Sequence, residues 1–112
     1  MSEFALIYRM GGETMSPEEK QAHLTNCMNW LNGLLESGVI KDVGIPLGSQ
    51  GGAVVGRNGS VHDGPFAETK DIISGLTLVQ ANDLAEAIEI AKTCPVAHGG
   101  GTVEVRHVEG CS

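Results

Sequence analysis

Basic residues are scarce in this sequence: seven Lys and Arg stand against fourteen Asp and Glu, for a formal net charge of −7. Nucleic-acid binding needs a basic face to neutralise phosphates, and no Lys/Arg cluster is present, so no nucleic-acid partner is expected. The acidic surface offers no attraction to a membrane, and no apolar run approaches the ~18 residues that would span one. The N-terminus lacks the pattern of a basic region, an apolar run and a small-residue cleavage site that marks a secretory leader. The three cysteines, Cys27, Cys94 and Cys111, are odd in number, widely spaced and without a CxxC pair. A disulfide framework is therefore not expected, and a reducing, cytoplasmic setting is. The sequon Asn58-Gly59-Ser60 matters only in a secreted chain. GxSxG and HExxH are absent, which removes hydrolase and metalloprotease readings. Gly99-Gly100-Gly101 leads into a strand rather than a helix with Lys-Ser/Thr, so it is no phosphate cradle. No cofactor is expected.

What is present suits one domain spanning residues 1–112. Hydrophobic residues make up 41% of the chain and glycines number 16, a globular and turn-rich balance. A chain of 112 residues can bury a core without staples. Residues 3–9 read as a strand with Phe4, Leu6 and Tyr8 alternating with Ala5 and Ile7, apolar on both faces. Ser16-Pro17-Glu18-Glu19 is a helix start: Ser16 caps, Pro17 fits the first position and Glu19 completes a capping box. Leu24, Cys27, Met28, Leu31, Leu34 and Leu35 carry that helix to about Ser37, where Gly38 stops it. A strand is predicted over 39–47, and a hairpin over 53–62 turning at Asn58-Gly59. Another strand covers 72–80. A second helix starts at Asp83 with Glu86 closing a capping box and stops at Pro95. A loop is predicted over 97–101, and a last strand over 102–108 sets Val103 and Val105 against Glu104 and Arg106.

This order is the β-α-β-β-α-β ferredoxin-like plan with an inserted hairpin, an α+β fold with two helices on one face of an antiparallel sheet. Ala5 and Ile7 leave apolar residues on the other face, and the economical cover is a second copy of the chain, a homodimer.

The segment Asp63-Gly64-Pro65-Phe66-Ala67-Glu68-Thr69-Lys70 resembles the signature of the DGPF-domain branch of the YCII-related family. Gly75-Leu76-Thr77-Leu78, Ala87, Cys94-Pro95 and Val103-Glu104-Val105-Arg106 extend the likeness, and His23-Leu24 followed by a Leu-rich helix and Gly38 resembles the first helix of the wider family. The resemblance covers nearly the whole chain. It implies a ferredoxin-like subunit pairing through its sheet face into a dimeric α+β barrel, the fold of small monooxygenases and lactone isomerases as well. It also implies that the histidine of the first helix, paired with an aspartate, belongs to an active site. The chain departs from the family at His107, where a proline is common, and at His62, where a small or hydroxylated residue is.

Each candidate residue has a bland alternative. His23 borders the apolar face of the first helix; histidine serves as acid or base near neutral pH, or it only hydrogen-bonds at a helix edge. Asp63 is either a site residue or the acceptor that braces an Asp-Gly-Pro turn. Phe66, one of four aromatics, suits a pocket wall projecting from that turn. Glu68 and Lys70 lie two apart and could anchor a polar substrate, though such pairs are more often solvated ions worth under ~1 kcal/mol. Arg106, on the dimer-facing side, either binds an anionic ligand or pairs with Glu104 or another carboxylate. His62, His98 and His107, with Cys94 near His98, lack a defined ligand spacing, so no metal site is expected. Cys27 reads as core filler.

Two function classes fit these residues. One is a small-molecule enzyme with His23 as acid/base, Asp63 as its orienting partner, Phe66 as a wall and Arg106 as anchor; lacking a cofactor motif, it would run proton transfer, isomerisation or elimination rather than redox chemistry. The other is a non-catalytic module that binds a metabolite or a protein. A hydrogen bond between His23 and Asp63 of about 3 Å would favour the first.

Overall fold

A computed structural model describes residues 1–9, 16–48, 52–64 and 72–109. Phe66, Glu68, Lys70 and Cys111 lie outside the described residues. The elements in chain order are β1 (Ser2–Arg9), α1 (Pro17–Glu36), β2 (Ile45–Pro46), β3 (Ala53–Val55), β4 (Val61–Asp63), β5 (Ile73–Ala81), α2 (Leu84–Lys92), α3 (Pro95–His98) and β6 (Thr102–His107). Four strands form an antiparallel sheet in the order β2-β5-β1-β6, and β3 and β4 form a separate two-stranded hairpin. This is the ferredoxin-like α+β arrangement with its inserted hairpin.

The register assigns the faces. Phe4, Leu6 and Tyr8 stand opposite Val79, Thr77 and Gly75 on one side and His107, Val105 and Val103 on the other. Partners opposite each other share a face, so these residues form the floor beneath the helices. Phe4, Leu6, Val79, Ala81, Ala87, Ala91 and Ile40 make the buried core, with Trp30, Leu31, Leu34 and Leu35 of α1 packed against it. The opposite face carries Ala5, Ile7, Leu76 and Leu78, the last of these exposed.

Helix α1 begins as local chemistry dictates. Ser16 Oγ accepts from the Glu19 backbone N–H at 3.1 Å, and Glu19 Oε1 accepts from the Ser16 N–H at 3.1 Å. Ser37 caps its end and Gly38, at φ 80°, turns the chain out. None of its residues is fully buried. Asp83 caps α2 by accepting from Glu86 N–H at 2.9 Å, but the Glu86 carboxylate reaches Asn82 rather than the cap residue.

Two predicted elements are corrected. The strand over 39–47 shrinks to Ile45–Pro46, because Asp42 Oδ1 accepts from the Gly44 N–H at 2.8 Å and holds a turn with Gly44 at φ 101°. A Cβ on Gly44 would strike the Leu76 carbonyl and lie 2.7 Å from Thr77 Oγ1, so only glycine lets this turn press on β5. The predicted loop over 97–101 begins instead inside α3. Pro95 ends nothing there: α2 stops at Lys92, and Pro95 opens the next helical turn at its first position. The hairpin bends at Asn58 and Gly59, at φ 64° and 77°, but Val55 pairs with Val61, so the connection runs over residues 56–60 rather than the two residues of a tight Asn-Gly turn.

Candidate functional site

Helix α1 runs antiparallel to β1. Val39, just past its end, accepts from Gln80 N–H, and Gln80 stands opposite Glu3 near the start of β1. Trp30 meets Tyr8 near the other end of β1, edge to face with ring centroids 6.5 Å apart. Pro17 precedes Trp30 by about 20 Å of helix at 1.5 Å per residue, so the first turns of α1 project past the end of the sheet. His23 rides on that projection. It is half-buried, and its Nε2 lies 3.5 Å from Sγ of Cys27, one turn further on.

Polar chemistry gathers behind His23. Tyr8 donates its hydroxyl to Thr77 Oγ1 at 2.6 Å, and the fully buried Thr77 donates to the Val43 carbonyl at 2.9 Å. Burial pushes the Tyr8 hydroxyl up to about 12, against the opposing pull of the Thr77 bond. Burial, reinforced by Cys94, likewise pushes the Cys27 thiol up to about 11. Cys94 is buried where α3 begins, and burial raises its thiol too. Trp30 Nε1 donates to Thr93 Oγ1 at 2.7 Å, pinning α1 to the end of α2. Both thiols are therefore held neutral, which suits Cys27 as packing beside His23 rather than as a nucleophile.

Asp63 is the last residue of β4, opposite Ala53, and is exposed. Its backbone lies in the hairpin ladder rather than at a turn corner; the bend falls on Gly64, at φ 80°, whose N–H donates to the Gly52 carbonyl at 2.7 Å. Among the described residues His23 and Asp63 share no hydrogen bond; the histidine's neighbour is Cys27.

Arg106 lies on the uncovered sheet face. Its Nη1 donates to Glu104 Oε2 at 3.2 Å, while Arg9 Nη2 donates to Glu104 Oε1 at 2.7 Å. Hydrogen bonds from Arg9 first and Arg106 second hold the Glu104 carboxyl below the usual carboxylate range. Two guanidiniums on one carboxylate leave a net positive cluster bordering Ile7 and Ala5. The sheet separates this cluster from the helix layer that carries His23. Arg9 was missed by sequence reasoning, although period-two alternation already puts it on the face of Ala5 and Ile7.

The remaining histidines are dispersed. His62 sits opposite Val54 in the hairpin, His107 packs edge-on against Phe4 with centroids 5.2 Å apart, and His98 Nε2 lies 2.7 Å from the Lys92 carbonyl oxygen. An open groove of about 370 Å³, lined by Ile88, Ala91, Lys92, Ala97, Val103 and Val105, runs between α2 and β6, away from His23. Among the described residues no helix is long and apolar enough to cross a membrane.

Comparison with known proteins agrees with this architecture. A solved structure of 5-chloro-2-hydroxyhydroquinone dehydrochlorinase (TftG) from Burkholderia phenoliruptrix, in complex with 2,5-dihydroxybenzoquinone, is similar at a TM-score of 0.50 and 20% identity, covering 95% of this chain and 93% of that one. At that identity the likeness speaks for the fold alone. No curated protein matches the chain. The family model described as the YCII-related domain matches residues 1–111, nearly the whole length over which the signature at Asp63, the His23 helix and the ferredoxin-like sheet are laid out, and the chain accordingly belongs to the YCII-related family.

Proposed function

We propose that this protein is a cytoplasmic small-molecule enzyme that uses acid–base chemistry, with sites formed in a homodimer whose apolar sheet faces meet. The observation that carries the reading is the placement of His23: a half-buried imidazole on a helix projection, beside a thiol held neutral. Such a group is open to take or give a proton to a bound molecule. Leu76, Leu78, Ala5 and Ile7 supply an apolar surface for the dimer contact, and the Arg9–Glu104–Arg106 cluster supplies positive charge for an anionic substrate. Asp63 would orient His23, Phe66 would form a wall, and Glu68 and Lys70 would bind polar groups. Free Cys27 and Cys94 are in keeping with a reducing compartment.

The fold neighbour removes chlorine from a hydroxylated aromatic ring and was captured with a dihydroxylated quinone. A small hydroxylated aromatic is therefore the substrate class to test first. Elimination of HCl from such a ring asks for one base to take the proton and an uncrowded exit for chloride, which fits the acid–base reading. That His23 and Asp63 share no hydrogen bond among the described residues favours the second reading, a non-catalytic binder of the same small molecules.

The experiment is a titration with 2,5-dihydroxybenzoquinone followed by absorbance, together with chloride release from 5-chloro-2-hydroxyhydroquinone, for the wild-type protein and His23→Ala. Chloride release lost in His23→Ala while quinone binding is kept supports the enzyme. Equal turnover in both proteins removes His23 as the base. Binding without turnover in the wild type moves the protein to the second reading, and neither binding nor turnover excludes this substrate class.

A further inference from the structure

Two surfaces of this chain are left uncovered at the same end of the sheet. The first is the projection of α1, where Leu24 is 57% and Met28 44% exposed, four residues apart on one helix face. The second is the β3–β4 hairpin. The chain leaves the sheet after Pro46, opposite Gly75, and returns at Ile73, opposite Arg9, so the hairpin is rooted at the end past which α1 projects. Val55 and Val61 stand opposite each other in the hairpin and are 68% and 61% exposed. A two-stranded hairpin with three residues in each strand is marginal in water unless something covers its apolar side, and among the described residues nothing covers these valines.

The two surfaces match. The Val55–Val61 pair spans roughly 5 Å between Cβ atoms, and Leu24 and Met28 are spaced by about 6 Å along the helix. Charge matches as well. Glu18 and Glu19 outnumber Lys20 at the start of α1 and leave it net negative, and Arg57, at the hairpin tip, is the one charged residue between Ala53 and Val61. An isologous pair of copies would let each hairpin reach the other copy's helix projection, satisfying both surfaces of both copies in two symmetry-related contacts.

We propose that the β3–β4 hairpin is an exchanged arm: it seats Val55 and Val61 on Leu24 and Met28 of a second copy, sets Arg57 beside Glu18 and Glu19 there, and carries Asp63 of one chain toward His23 of the other. The inference rests on the homodimer put forward above, and it deepens that reading by making each site a product of two chains.

The test mixes isotope-labelled and unlabelled Arg57→Lys protein and treats the mixture with a zero-length carbodiimide, which joins an amine to a carboxylate only in direct contact. Mass spectrometry then reads the linked peptides. Links from position 57 to Glu18 or Glu19 that pair one labelled with one unlabelled peptide are the expected result. Links confined to one isotope, or no link, overturn the arm. Sedimentation supplies an independent readout. The combined Val55→Lys and Val61→Lys substitutions should weaken the dimer at least tenfold in Kd; an unchanged Kd overturns the arm. If Leu78→Lys alone dissociates the dimer while the valine variant does not, the sheet-face homodimer stands and only the arm falls. A monomeric wild-type protein overturns both.

Discussion

The Tyr8–Thr77–Val43 relay ties three parts of the fold together, and replacing Thr77 by valine measures it. Thr77 is fully buried between Tyr8 of β1 and the turn at Val43. Valine keeps the shape and removes the hydroxyl, so the Val43 carbonyl loses its donor and the Tyr8 hydroxyl loses its acceptor. A net hydrogen bond contributes about 1 kcal/mol, and a polar group stranded in the interior costs about 1–3 kcal/mol. Thr77→Val should therefore cost about 2–3 kcal/mol, or a Tm lower by roughly 10 °C for a domain near this size. Tyr8→Phe alone should cost about 1 kcal/mol. In the Thr77→Val background it should cost nothing, because the phenol it removes is already unpaired. Urea unfolding followed by fluorescence of Trp30, the single tryptophan, reads all four proteins. A Thr77→Val cost under about 0.5 kcal/mol, or costs that add to within the ~0.5 kcal/mol expected of independent sites, would refute the relay.

Other perturbations test other parts of the molecule. Gly44→Ala should cost well over 2 kcal/mol, since φ is 101° and the new Cβ meets backbone; Gly33→Ala, in open space on α1, should instead stabilise by about 0.5–1 kcal/mol. Equal urea midpoints for the two would discredit the turn geometry. Cys27, with its thiol pushed up to about 11 from an ordinary 9.0, carries about a hundredfold less thiolate at pH 8 than a free thiol. In a Cys111→Ser background it should react with iodoacetamide correspondingly slowly, and free-thiol rates in the folded protein would contradict its burial. Glu104 has its carboxyl depressed in the folded state, so its stabilisation is complete above the ordinary value of 4.5 and lost as pH falls through the folded value. The stability gap between the wild type and Glu104→Gln should accordingly close as the solution is made acid; a gap constant from neutral pH to below that range would mean the ion pairs contribute nothing.

Local chemistry was legible and long-range pairing was not. The start of α1 follows from Ser16, Pro17 and Glu19 within one turn, and the hairpin bend from Asn58-Gly59, because those residues settle their own backbone. The His23–Cys27 contact is implied by helical spacing. The strand over 39–47 was misjudged because a short-range bond, Asp42 to Gly44, overrode an apolar pattern that looked extended. α3 was missed because proline stops one helix and starts another with the same geometry. Thr77 binding Tyr8, sixty-nine residues away, has no local sequence signal. Asp63 reads equally as a site residue or as the acceptor of an Asp-Gly-Pro turn; its backbone pairs with Ala53 and Gly64 bends at φ 80°, while Pro65 lies outside the described residues.

The sheet acts as a partition, and this constrains any reading in which one ligand touches both the imidazole and a guanidinium. Helix α1 lies over the face of Phe4 and Leu6, whereas Glu104 and Arg106 stand on the face of Ile7 and Ala5. A molecule bound at the middle of one face cannot reach the other layer of the same chain. The two layers become mutually accessible only past the end of β1, where α1 projects and where Arg9 stands opposite Thr102. Arg106, opposite Ala5, is four residues further in, about 13 Å along the strand at 3.3 Å per residue. Of the two guanidiniums, then, Arg9 stands nearer to the layer of His23, and Arg106 serves to hold Glu104 or to face a second subunit. The short bond from Arg9 to Glu104 fixes the guanidinium at that end of the sheet, and the longer bond from Arg106 is the one an incoming anion would displace first.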